Sequence, residues 1–212
     1  MRRLVQLAIH IWLHKEDRTA AAWADAIRHV LSVFKQMPVP DHHGPRWWRE
    51  TLPHAQLVLR ETKKDPSPER TGLLEDVAYC LMMDGRRQEE SQLREEICSR
   101  LSHLPEDDHQ LLNERWYLAR AYTYSGKDGL ATSLFEKCVS ISLRTYDAHD
   151  PPIVLDFQEA LASSSLTLGK VSAAMELLTH VYNVLKRGSD KGEMLKWTLT
   201  VIAEAYLESH DY

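Results

Sequence analysis

Three glycines, Gly85, Gly126 and Gly169, recur at intervals of 41 and 43 residues, and each closes the same short pattern. Seven residues before each stands an alanine (Ala78, Ala119, Ala162), preceded directly by an aliphatic side chain (Val77, Leu118, Leu161). Self-similarity at this period restricts a chain to arrays in which one supersecondary unit stacks on the next. Two antiparallel helices approach closely where one presents little more than a methyl group, and the chain reversing between them needs a residue that tolerates positive φ. Alanine meets the first demand and glycine the second. A fourth copy, 41 residues after Ala162, reads Ile202, Ala203 and Tyr206, with His210 in the glycine position.

Amphipathic stretches follow the glycines. After Gly126 the residues Ala131, Leu134, Phe135, Cys138, Val139 and Ile141 fall on one helical stripe, and after Gly169 the same offsets give Ala174, Leu177, Leu178, Val181, Tyr182 and Val184. The stretch after Gly85 departs from this: Glu90 replaces the alanine and leaves Leu93 and Ile97 to hold the stripe, which predicts a looser or edge copy. Breakers separate the units at Pro105-Glu106-Asp107-Asp108, His149-Asp150-Pro151-Pro152 and Gly188-Ser189-Asp190-Lys191-Gly192. The pattern predicts helices near 72–84, 87–103, 111–125, 128–145, 153–168, 171–187 and 193–209, and essentially no strand.

Charge is uneven. Residues 1–64 carry 11 Lys/Arg against 6 Asp/Glu, whereas residues 65–212 carry 15 against 25. The acidic majority repels phosphate backbones, which argues against a nucleic acid partner. No apolar run reaches the roughly 18 residues of a membrane span, and Gln6 and His10 interrupt the apolar start of the chain, which reads as a packed helix rather than a leader. Cys80, Cys98 and Cys138 form no CxxC pair and read as buried thiols of a cytoplasmic protein.

The repeat pattern resembles the tetratricopeptide repeat (TPR) family, and the 41–43-residue spacing resembles its longer kinesin-light-chain variety. The resemblance covers residues 70–212 and implies an all-α fold, a right-handed superhelix of antiparallel helix pairs, with three full repeats and one partial repeat over residues 65–212. Residues 1–64, read as an N-terminal helical segment and cap, carry a second resemblance. Arg3-Leu4-Val5-Gln6-Leu7-Ala8, Trp12-Leu13 and Leu52-Pro53-His54-Ala55 look like the join between winged-helix remnant and repeats in fungal NB-ARC–TPR proteins of the NOD-like receptor group. No GxxxxGK[ST] phosphate loop accompanies it. The expectation is therefore a protein–protein interaction module, with the alternative of a sensor fragment of such a receptor lacking its ATPase.

In the TPR family the first helix of each pair lines a concave groove. Carried onto this chain, that implies groove positions at Glu75, Tyr79, Met82 and Met83, at Asn113, Trp116, Arg120 and Tyr124, at Asp156, Glu159 and Ser163, and at Trp197, Thr200 and Glu204. Tyr79, Trp116, Arg120, Tyr124 and Trp197 are of types that dominate binding hot spots. The sequence leaves open whether Trp116 and Trp197 face the groove or a neighbouring core. Four acidic groove positions imply a basic or mixed amphipathic protein segment as ligand. They argue against a carboxylate clamp of the kind that grips chaperone C-termini, for which Arg120 alone is suited. Ala203 and its neighbours on the last helix imply an open edge, covered by a further repeat, by a second copy of the chain through self-association, or by a further C-terminal segment.

Nothing suggests an enzyme, a cofactor or a metal. His10 and His14 lack the glutamate of HExxH and read as a helix-surface pair, Asp41-His42-His43-Gly44 as a polar turn, and Glu89-Glu90, Glu95-Glu96 and Asp107-Asp108 as solvated charge.

Overall fold

A computed structural model describes residues 19–36, 48–145, 152–187 and 192–210. Every regular element among them is helical: α1 (Thr19–Gln36), α2 (Trp48–Glu61), α3 (Pro68–Met83), α4 (Arg87–Arg100), α5 (His109–Tyr124), α6 (Asp128–Thr145), α7 (Pro152–Thr167), α8 (Val171–Arg187) and α9 (Glu193–His210), with a 3-10 turn at Leu101–His103. Several features read from the sequence lie outside the described residues: the Arg3–Leu13 run, His10, His14, residues 41–44, most of the linkers after α6 and α8, and the His210 side chain. No helix among the described residues is long and apolar enough to cross a membrane.

The chain forms two compact units, one ending at Arg100 and the other beginning at Leu101. Residues 65–100, expected to belong with the later repeats, cluster with the N-terminal helices, because α3 packs on α1 and α2 as well as on α4. In the second unit each helix packs on its neighbour in sequence from α5 to α9, and α7 also touches α5 and α9.

The three glycines make the turns. Gly85, Gly126 and Gly169 have φ of 73°, 71° and 70°. Their amides donate to Met82, Thr123 and Leu166 carbonyls at 3.1, 3.1 and 2.8 Å, and the following amides of Arg86, Lys127 and Lys170 reach back to Leu81, Tyr122 and Ser165, each at 2.9 Å. This two-bond closure satisfies carbonyls that a helix end would otherwise leave idle. The carbonyls of the same Arg86, Lys127 and Lys170 receive the first amides of the next helix, from Glu90, Ala131 and Ala174. A Cβ on any of the three glycines would meet nothing within 4 Å, so backbone conformation alone selects glycine. Helix starts follow side-chain capping: Ser67 Oγ accepts the Arg70 amide with Pro68 next to it, and Asp108 Oδ1 accepts those of Gln110 and Leu111.

Ala78, Ala119 and Ala162 are fully buried, as are Ala131 and Ala174 in the second helices. A further small residue two places after each first-helix alanine (Cys80, Ala121, Ser164, Ala205) is buried too. In the second unit Leu112, Ala119, Phe135, Cys138 and Phe157 form one core cluster, and Ala162, Leu166, Leu178, Val201 and Ala205 another.

Two expectations change. The copy after Gly85 is not loose. Glu90 and Arg94 stand where the later repeats have Ala131/Ala174 and Phe135/Leu178, and they are 1% and 2% exposed, with Glu90 paired to Arg87 at 3.0 Å. Here charge pairing replaces apolar packing at the same register. Ala203, expected at a fourth helix crossing, is exposed. Its register is nonetheless that of Ala78. Leu74, Ala78 and Leu81 on α3 are all buried against neighbouring helices, whereas Leu199, Ala203 and Tyr206 at the same places on α9 are exposed, with no helix following α9 among the described residues.

Candidate functional site

The second unit contains a concave cavity of about 460 Å³ bounded by α5, α7 and α9, with Phe135 of α6 at its floor. Trp116, Arg120, Thr123 and Tyr124 come from α5, Asp156, Glu159, Ala160, Ser163, Ser164, Leu166 and Thr167 from α7, and Trp197, Val201 and Glu204 from α9. These helices carry the lining because every second helix lies behind them, held off by the alanine crossings.

At the α5 end, the Arg120 guanidinium lies 4.9 Å from the centroid of the Trp116 ring and 5.8 Å from that of Tyr124. Both rings attract it through their π faces. No carboxylate among the described residues pairs with it. Trp116 also packs on the core cluster of α5–α7, and its buried Nε1 has no hydrogen-bond partner among the described residues. It thus serves the cavity and the core together, whereas Trp197 is 57% exposed and projects from α9 as a free ring face.

The α7–α9 end is acidic. Glu159 is only 7% exposed, and its Oε1 lies 2.6 Å from Thr198 Oγ1. Thr198 Oγ1 also lies 2.9 Å from the Met194 carbonyl, and a hydroxyl has one hydrogen to give. A protonated Glu159 can donate to Thr198 while Thr198 donates to Met194, whereas an ionised Glu159 draws the Thr198 hydrogen to itself. Burial pushes the Glu159 carboxyl above the ordinary carboxylate range, the Thr198 hydrogen bond opposes this, and the Asp156 charge adds to it. Asp156 is exposed by area but stands in the concave mouth, where surrounding protein displaces water and raises its carboxyl as well. Between the two ends, Ser164 shares a buried hydroxyl–hydroxyl bond of 2.7 Å with Thr132 of α6, tying the lining to the helix behind it.

Of the residues read from the sequence as groove positions, Trp116, Arg120, Tyr124, Asp156, Glu159, Ser163, Trp197 and Glu204 meet at this cavity. Thr200 lines an adjoining opening with Lys196, and Asn113 is half-buried on α5 outside the lining. Glu75, Tyr79 and Met82 are half-buried in the first unit. Met83 is a correction: it is 7% exposed and belongs to the first unit's core. Its unbranched apolar chain gains by burial, where Tyr124 at the same repeat position stays 55% exposed. Thr198 was not foreseen. Its spacing with Val201 and Ala205, i, i+3 and i+7, marks a core stripe that would have found it.

Among the described residues no group of three or more His, Cys, Asp or Glu is placed to hold a metal ion.

No family model matches the sequence, and no curated protein matches it at a significant level. Solved structures do. A kinesin light chain of nearly identical TPR-like repeats from Podosopora anserina superposes with a TM-score of 0.64 at 24% identity, over 77% of this chain and 79% of that one, and a single-substitution variant of it with 0.66 over the same shares. BtubC from P. vanneervenii superposes with 0.64 at 15% identity, over 99% of this chain and 82% of that one. The chain has the fold of a TPR-like α-solenoid.

Proposed function

We propose that this protein is an interaction module whose second unit captures a segment of another protein in the cavity between α5, α7 and α9. The observation that carries this is convergence: three helices far apart in sequence bring Trp116, Tyr124 and Trp197 ring faces, an Arg120 without a carboxylate partner among the described residues and three acidic side chains to one concavity. Such a surface gains from a ligand that offers complementary charge and apolar area together, which fits a basic or mixed amphipathic segment.

Display of random peptides against the immobilised protein tests it. The enriched peptides should lose about thirtyfold or more in affinity for Arg120→Ala/Trp197→Ala, since truncating an aromatic or arginine anchor typically costs about 2 kcal/mol or more. Both side chains are accessible, so melting should be little changed. Equal binding to the double variant would place the interaction elsewhere.

A further inference from the structure

The α7–α9 end of the cavity shows more than a general preference for positive charge. Asp156, Glu159 and Glu204 form no ion pair with any described residue. Glu159 is more than nine-tenths buried, with Oε1 engaged by Thr198, while its second oxygen has no hydrogen-bond partner among the described residues and is not sealed from solvent. A carboxylate oxygen left open at a largely buried site is poorly hydrated, and a cation that reaches it forms a charge-assisted hydrogen bond stronger than one to bulk water allows. The exposed Trp197 indole flanks the same carboxylates, both in the main cavity and in the adjoining opening. An indole face beside a carboxylate favours an alkylammonium or guanidinium group.

The charged groups facing Glu159 are few. α5 offers Arg120, already held between Trp116 and Tyr124. α9 offers Glu204, and Lys196 in the adjoining opening, which forms no ion pair with Asp156 or Glu159. α6 and α8 contribute no titratable side chain to the lining.

We infer that this end is a socket for one basic side chain of the bound segment, a lysine or arginine seated on the Trp197 indole and neutralised by Asp156 and Glu159. The inference rests on the capture reading above and adds the chemistry of its anchor. A cation requires both carboxyls ionised, and both titrate above the ordinary range. Binding therefore weakens as pH falls through those raised values, and at the lower end of that window the entering side chain displaces a proton.

Nα-acetyl-lysine amide, Nα-acetyl-arginine amide and the neutral Nα-acetyl-norleucine amide serve as probes, followed at the Trp197 indole N–H resonance. Both cations should shift it saturably, with norleucine amide about tenfold weaker or more. Asp156→Asn and Glu159→Gln should each weaken the cations by about tenfold, and lowering the pH from neutral should weaken the wild type more than Glu159→Gln. Asp156 is exposed, so its variant keeps the test intact even if Glu159→Gln folds poorly. Norleucine amide binding as well as lysine amide, or both variants binding the cations like wild type, overturns the socket. Selected peptides that need Arg120 and Trp197 but no basic residue, with no binding of the cationic amides, overturn the socket and leave the capture reading standing. Cationic amides binding while display enriches no peptide overturns the capture reading and the assignment to a peptide side chain.

Discussion

Gly126 and Gly129 lie three residues apart, and replacing each with alanine should move stability in opposite directions. Gly126 sits in the turn between α5 and α6 with φ of 71°, whereas Gly129 lies in the first turn of α6 and is not among the positive-φ glycines. A new Cβ meets nothing within 4 Å at either place, so packing cancels from the comparison. At Gly126 the left-handed backbone costs an alanine about 1–2 kcal/mol, reduced by about 0.4–1 kcal/mol of entropy that alanine removes from the unfolded chain. The net loss is about 1 kcal/mol. At Gly129 the helical backbone suits alanine, and the substitution should gain about 0.5–1 kcal/mol. The two variants should differ by about 2 kcal/mol, or a few degrees in melting temperature for a chain of this size. Denaturant unfolding followed by far-UV circular dichroism measures this directly. Gly126→Asn should lose less than Gly126→Ala, because asparagine tolerates the left-handed region. If Gly126→Ala proves neutral, or if both alanine variants shift the same way, the turns are not held by backbone conformation and the basis of the repeat register fails.

Ala119→Trp should destabilise by about 1–3 kcal/mol or more by overpacking the α5–α6 crossing, while Ala203→Trp, at the same repeat position but exposed, should leave the unfolding midpoint within error. Glu90→Ala installs the residue that the later repeats carry, yet it removes a buried carboxylate from its pair with Arg87 and from the turn before the buried Arg94, and should cost about 1–3 kcal/mol, with adding Arg94→Leu recovering much of the loss. A stabilised single variant would show that the charges contribute nothing at that register. Burial pushes the Cys80 thiol up to about 12, so alkylation at mildly alkaline pH, read by peptide mass, should modify half-buried Cys98 well before Cys80 or Cys138. Early labelling of Cys80 would contradict its burial.

The turns and crossings were legible in the sequence because their causes are local. Positive φ admits glycine, close helix approach admits alanine, and both leave a periodic trace that survives at Gly85, Gly126 and Gly169. Helix limits followed to within a few residues, from the same turns and from caps such as Ser67 and Asp108. What failed depended on neighbours rather than on the residue. Met83 and Tyr124 share a repeat position, yet one is core and the other solvent-facing. Ala203 keeps the alanine pattern but has no helix across from it among the described residues. Glu90 breaks the apolar stripe on paper and is buried all the same, because Arg87 and Arg94 lie one turn either side of it along α4. A single sequence shows none of these surroundings, since each depends on which groups the fold brings into contact.

The cavity became readable because structural and chemical positions alternate along the first helices. Ala78, Ala119 and Ala162 are buried, and so are Cys80, Ala121, Ser164 and Ala205 two places beyond each copy's alanine position. The residue between them, Tyr79, Arg120, Ser163 or Glu204, is accessible in every copy. Two small side chains bracket one that faces outward, so the bracketing pair sets helix spacing while the middle residue is free to change in size and charge. In the second unit the three middle residues, Arg120, Ser163 and Glu204, all reach the same cavity. A cation, a hydroxyl and a carboxylate thus stand in sequence across it, on helices whose packing does not depend on them. That separation is why an acidic end and an arginine end coexist in one concavity without pairing to each other: the spacing of the crossings holds them apart, and under the proposed capture a bound segment would satisfy both.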